Sequence, residues 1–129
     1  MHGFETKIRV RYEETDKMGV VYHAKYFHWF EVARIQLLDE IGLPYKSLEE
    51  DGYFLPVLDC AASFKIPARF DDRVSIISSA GFQSPLRLRI EYSVFLGSEK
   101  LAEGFTTHAF VCDQGKVVRP PEQFTKLLK

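Results

Sequence analysis

The stretch Ala24-Lys25-Tyr26-Phe27-His28-Trp29-Phe30-Glu31-Val32-Ala33-Arg34-Ile35-Gln36-Leu37-Leu38-Asp39-Glu40-Ile41 decides the fold. Its apolar residues Tyr26, Phe30, Ala33, Leu37 and Ile41 recur at steps of four, three, four and four, the spacing of one helical face. Phe27, Trp29 and Leu38 widen that face well beyond a single seam. The spacing predicts a helix over residues 24–41, buried around much of its circumference. Gly42 suits the C-terminal cap, and Pro44 blocks continuation.

On either side the period changes to two. Upstream, Phe4, Thr6, Ile8, Val10 and Tyr12 alternate with Glu5, Lys7, Arg9 and Arg11, which predicts a half-buried strand from Phe4 to Tyr12. Downstream, residues 45–50 form a short helical turn ended by Gly52. Strands are predicted over 55–65, 74–82, 87–96 and 101–112. The third is the clearest, with Leu88, Ile90, Tyr92 and Val94 set against Arg89, Glu91 and Ser93. Turns fall at Pro67, Ser84-Pro85, Gly97-Ser98 and Gln114-Gly115, and a last short helix spans 122–128. Strands this closely spaced, with no helices between them, pair antiparallel. A helix apolar over most of its surface needs a surface to wrap it. The order therefore predicts an α+β fold, a five-stranded antiparallel sheet curled around one long central helix. The competing arrangement lays the helix on a flat, open sheet.

The 129 residues predict a single domain over 1–129 that needs no disulfide or metal to fold. A hydrophobic share of 46% against 27% charged argues against disorder. Seventeen Lys and Arg nearly balance eighteen Asp and Glu, so there is no electrostatic footprint for nucleic acid. No apolar run is long enough for membrane insertion. Residues 1–11 lack the continuous apolar core of an export signal, so a cytoplasmic location is expected. Cys60 and Cys112 are then expected to be reduced, serving as small buried hydrophobes.

The polar stretch before the helix holds the candidate chemistry. Glu13, Glu14 and Asp16 crowd a strand end, followed by Gly19 and the helix start. Asp16 is expected to point inward, because the apolar Met18–Val21 segment follows it, while Glu13 and Glu14 are expected in solvent. A carboxylate serves as nucleophile or general base. A helix start offers unpaired N–H groups and the positive end of the dipole, which stabilise a developing oxyanion. Spacing alone does not separate this from helix capping, which accounts for most such acids.

The run Tyr12-x-Glu14-Thr15-Asp16-x-x-Gly19-Val20-Val21-Tyr22-His23-x-x-Tyr26 resembles the signature of the hotdog-fold acyl-CoA thioesterases. The branch is the one grouped with 4-hydroxybenzoyl-CoA thioesterase and the small bacterial acyl-CoA thioesterases. Pro67-Ala68-Arg69-Phe70-Asp71-Asp72 and Arg119-Pro120-Pro121 fit the same family more weakly. The resemblance implies a hotdog fold and hydrolysis of an acyl-CoA to a free acid and coenzyme A, with no cofactor. It implies Asp16 as nucleophile or general base. It implies the backbone N–H of His23 at the thioester oxygen, with the His23 side chain a further candidate for binding or proton transfer. Tyr22 and Tyr26 are implied to line the acyl pocket. It also implies a homo-oligomer with its site between two subunits, a dimer as the smallest competent unit, and commonly a tetramer. His23 stands where the hydroxybenzoyl branch has an aromatic residue, which favours the broader small acyl-CoA branch. Two alternatives stay open: an acyl-thioester hydratase or dehydratase on the same fold, and a non-enzymatic acyl-binding protein.

Other polar residues have plainer readings. His23 and His28 point about 140° apart on a helix and make no metal pair. His108 is expected to be structural or at the surface, Arg34 solvated or snorkelling, and Asp71-Asp72 a turn. Lys65, Arg69, Arg73, Arg87 and Arg89 are all candidates for contacts to CoA phosphates, and no motif selects among them.

Overall fold

Helix α1 runs from Lys25 to Glu40 in a computed structural model that describes residues 3–128 of the protein. Met1, His2 and Lys129, the ends of the predicted domain, lie outside the described residues. The helix ends as its sequence requires. Gly42 takes a left-handed φ of +83°, and the Leu43 N–H donates to the Leu38 carbonyl at 2.9 Å. Tyr26, Trp29, Phe30, Ala33, Leu37 and Leu38 are buried, while His28, Glu31 and Gln36 face solvent.

The helix is preceded by strand β1 (Phe4–Arg9) and a 3-10 turn at Tyr12–Glu14. It is followed by α2 (Tyr45–Glu50), β2 (Val57–Phe64), β3 (Arg73–Ser84), β4 (Arg87–Leu96), β5 (Glu99–His108) and α3 (Glu122–Leu127). The strands form one antiparallel sheet in the order β1-β3-β4-β5-β2. Val74, Ile76, Leu88, Ile90 and Val94 bury one face against α1, as their period of two requires. At the centre the Phe30 ring lies parallel to Tyr92, with centroids 4.3 Å apart. Gly104 makes room for this stack. A Cβ there would fall 2.8 Å from the Phe30 ring and overlap the Ala61 carbonyl oxygen. Close wrapping of helix by sheet therefore depends on one missing side chain.

The two sheet edges differ. β1 carries Glu5, Lys7 and Arg9, all exposed. β2 carries no Lys, Arg or Glu, and nearly all its residues are exposed on both faces. Charged edges resist further pairing and bare edges invite it.

Several expectations need correction. β1 stops at Arg9 rather than Tyr12, because its partner strand begins at Arg73, where Asp71 turns the chain with φ +70°. Tyr12 is 77% exposed and packs edge-on against Phe70. β5 stops at His108, and Val111 beyond it bridges Phe54 and Val117 instead. Both cysteines are free; Cys60 is exposed because β2 is an uncovered edge, and Cys112, beyond β5, is half-buried. Arg34 turns inward rather than into solvent. Its Nη1 donates to the Tyr92 hydroxyl at 3.3 Å. Tyr92 and His108 Nε2 each lie 2.8 Å from the Thr106 hydroxyl, and His108 Nδ1 lies 3.1 Å from the Leu55 carbonyl. Arginine only donates and a carbonyl only accepts, so the chain runs one way. Tyr92 donates to Thr106, Thr106 to Nε2, and Nδ1–H to Leu55. His108 is thus structural and fully buried. Burial, with the charge of Arg34, pushes its pKa down to about 4. Among the described residues no helix is long and apolar enough to cross a membrane.

Candidate active site

The segment between the 3-10 turn and α1 is shaped by backbone bonds. The Asp16 N–H donates to the Val20 carbonyl and the Gly19 N–H to the Asp16 carbonyl, each at 2.9 Å. This closes a tight loop in which Gly19 takes φ +79°, a conformation that favours glycine. The loop is stitched to the segment after β2: Val20 bridges Arg69, and the Val21 N–H donates to the Ala68 carbonyl at 2.8 Å.

Asp16 projects from this loop. Its Oδ1 accepts the Met18 N–H at 2.9 Å, which sets the orientation of the carboxylate. Its Oδ2 has no hydrogen-bond partner among the described residues. Asp16 lines a cleft of about 280 Å³ together with His23 and Tyr26 from the helix start. The opposite wall is Phe64, Lys65, Ile66 and Pro67, at the end of β2. The first donors of the helix open near the same place. The Lys25 N–H is taken by the Tyr22 carbonyl and the Tyr26 N–H by that of His23, but the N–H groups of His23 and Ala24 meet no acceptor among the described residues.

The structure therefore brings Asp16, His23 and Tyr26 to one cleft. Tyr22 is about half exposed and packs on the His23 ring with centroids 4.5 Å apart, outside the cleft wall. Tyr26 is buried between Trp29 and Phe64, with centroids at 4.7 and 4.9 Å. That burial raises its phenol pKa, so it stays protonated.

The expectation of an inward Asp16 and a solvated Glu14 is reversed. Glu14 is only 5% exposed, whereas Asp16 is exposed on the single chain. The Glu14 carboxylate accepts the Trp29 indole N–H at 2.9 Å and the Arg11 backbone N–H at 2.8 Å. Its carbonyl accepts the Tyr22 N–H at 2.9 Å. Glu14 thus clamps both ends of the Asp16 loop to α1. One half of this was visible in advance: an acid three residues into a helical turn reaches back to the turn's first N–H. The indole partner, fifteen residues on, leaves no local trace. The Phe64–Pro67 wall is likewise a contact between distant segments.

Residues 10–128 match the thioesterase-like superfamily. The chain belongs to that superfamily. Among superfamily relatives, the acyl-CoA thioesterase YbgC of Haemophilus influenzae is 31% identical over 99% of this chain and 93% of its own length. An acyl-CoA thioesterase-type protein of Bacillus subtilis, YneP, is 43% identical over 72 residues, which span about half (52%) of its length. Among solved structures, the DHNA-CoA thioesterase of Staphylococcus aureus superposes with a TM-score of 0.88 at 34% identity, covering 92% of this chain and 81% of that one. The expected hotdog architecture is thus the superfamily's, and the flat-sheet alternative falls away.

Proposed function

We propose that the protein is an acyl-CoA thioesterase, with Asp16 as the reacting carboxylate and the N–H groups at the start of α1 as the oxyanion site. One observation carries this: Asp16, with its unpartnered Oδ2, and His23, whose N–H is unpaired, line the same cleft, and the unpaired N–H of Ala24 follows His23 in the chain. The names of the relatives support the substrate class.

As nucleophile, Oδ2 bonds to the thioester carbon while the carbonyl oxygen gathers charge against the His23 and Ala24 N–H groups. The C–S bond then breaks, the thiolate takes a proton from water, and a second water splits the anhydride to free acid and Asp16. As general base, Asp16 instead takes the proton of a water whose oxygen adds to the carbon, the same C–S bond breaks, and Asp16 returns the proton to the departing thiolate. The protonated Tyr26 and the Phe64 ring support an acyl-pocket wall. Tyr22 acts by holding the His23 ring.

The functional unit we infer is a dimer. The edge of β2, whose one charged residue is Asp59, pairs with its copy, and the partner then closes the cleft beside Phe64, which is 47% exposed on the single chain. The test is thiol release from a panel of acyl-CoAs. Turnover that is abolished in Asp16→Ala with the fold retained supports the proposal. Turnover equal to the parent's removes Asp16 from it. An enoyl-CoA that loses its absorbance without thiol release assigns a hydratase instead.

A further inference from the structure

The segment that carries Asp16, residues 10–21, stands with both ends on one short turn. Its first foot is Val10, whose N–H donates to the Asp72 carbonyl at 2.9 Å and whose carbonyl accepts the Asp71 N–H at 3.0 Å. Its second foot is the pair Val20 and Val21. Val20 bridges Arg69, and the Val21 N–H donates to the Ala68 carbonyl at 2.8 Å. Residues 68–72 therefore set the distance between the two feet. One residue closes that turn twice. The Asp72 N–H donates to the Arg69 carbonyl at 3.1 Å, and the Asp72 Oδ2 accepts the Arg69 N–H at 2.9 Å. Asp71 between them takes φ +70°, a conformation that a side chain keeps only where surrounding bonds hold it.

The two adjacent acids have different partners. Asp71 faces outward, to Arg9 at 2.6 Å and Arg73 at 3.9 Å. The Asp72 carboxylate meets no cation among the described residues and is bonded to backbone instead. From the helix side, Tyr26 turns its hydroxyl toward the Ala68 N–H, with Asp72 close by. Neither Ala68 nor Asp72 lines the cleft.

Resting on the thioesterase reading, we propose that Asp72 is a positioning residue for the reaction: its carboxylate fixes the turn on which both ends of the Asp16 segment stand, and so sets Asp16 against the N–H of His23. The link is short. Val21 precedes His23 by two residues, so any shift of the Ala68 carbonyl moves the helix start relative to Asp16. A displacement of about 1 Å at a reacting centre costs about a hundredfold in rate. Because Asp72 stays outside the cleft, it acts on the chemical step and not on substrate binding.

The test compares Asp72→Ala, Asp72→Asn and Asp71→Asn with the parent, by amide hydrogen exchange and by thiol release from an acyl-CoA. Asparagine at position 72 keeps an oxygen for the Arg69 N–H, and alanine does not. Asparagine at position 71 removes the ion pairs and tolerates the left-handed φ. In Asp72→Ala the Val21 amide exchanges about tenfold faster or more, while Ile90 in β4 exchanges as in the parent. In the same variant kcat falls about ten- to a hundredfold and KM stays unchanged. Both asparagine variants keep the parent's exchange and kcat. Unchanged Val21 exchange or an unchanged kcat in Asp72→Ala overturns the proposal. So does a rise in KM alone, equal acceleration at Val21 and Ile90, or a loss in Asp72→Asn as large as in Asp72→Ala. Exchange is read without turnover. A parent that releases no thiol overturns the thioesterase reading and the catalytic part of this one, and Val21 exchange still decides whether Asp72 fixes the Asp16 segment.

Discussion

The Glu14 carboxylate receives the indole N–H of Trp29 at 2.9 Å, deep between the Asp16-loop segment and α1. Trp29 is the chain's only tryptophan, so its fluorescence reports this one contact. Glu14→Gln turns an amide group toward donors that need an acceptor. It lowers stability by about 1–3 kcal/mol in urea unfolding and shifts the Trp29 emission. Because the Glu14 carboxylate also holds the Arg11 N–H at the start of the turn that leads into the Asp16 loop, kcat falls about ten- to a hundredfold with little change in KM. An emission and a kcat equal to the parent's remove the clamp.

Asp16→Asn keeps the acceptor for the Met18 N–H and removes the reacting charge. Thiol release from acyl-CoA falls about 10²–10⁴-fold, while circular dichroism and the melting temperature stay as in the parent.

His108 makes stability depend on pH. Its pKa is about 4 when folded and near 6.5 when unfolded, so the unfolded chain takes up the proton first. The stabilisation is fully present above pH 6.5 and is lost as pH falls toward 4, to a total of about 3 kcal/mol. The buried chain explains the sign. A protonated Nε2 would face the Thr106 hydroxyl as a second donor, and reversing each bond behind it ends against Arg34, which cannot accept. His108→Gln lowers stability at neutral pH and flattens the dependence between pH 6.5 and 4, as read by urea midpoints across that range.

Gly104→Ala places a methyl group against the Phe30 ring and the Ala61 carbonyl. Thermal unfolding is expected to show a loss of about 1–3 kcal/mol. Gly97→Ala strains only a hairpin turn with open space around it, at φ +62°, and costs about 1 kcal/mol.

Cys60→Lys and Ala61→Lys give β2 the kind of charge β1 already has. Light scattering is expected to find the parent at twice the chain mass or a multiple of it, and the double variant at the mass of one chain. A double variant that assembles like the parent places the interface elsewhere.

The sheet and helix were legible because periodicity is a local property. Phe30, Ala33 and Leu37 announce α1, and Leu88 to Val94 announce β4 with its observed bounds. Burial was harder to read. Glu14 looks like any surface acid, since its indole partner comes from another turn of chain. Cys60 looks buried by residue type, yet it lies on an edge strand that no other described segment of the chain covers. Asp16 was singled out by the family signature around it, since spacing to the helix start did not separate it from a capping acid. The Phe64–Pro67 wall opposite it was not, because only folding brings the end of β2 there.

The unlike edges of the sheet would also govern how the proposed assembly ends. A sheet receptive on both sides can add copies without limit and grow into a fibre. Here one border bears Asp59 as its one charge, and the other is studded with Glu5, Lys7 and Arg9. A copy joined at the first border would present only the studded borders to the next arrival. In the proposed dimer, strand-by-strand growth would therefore terminate after a single addition, and the same asymmetry that would permit a partner would also guard against polymerisation.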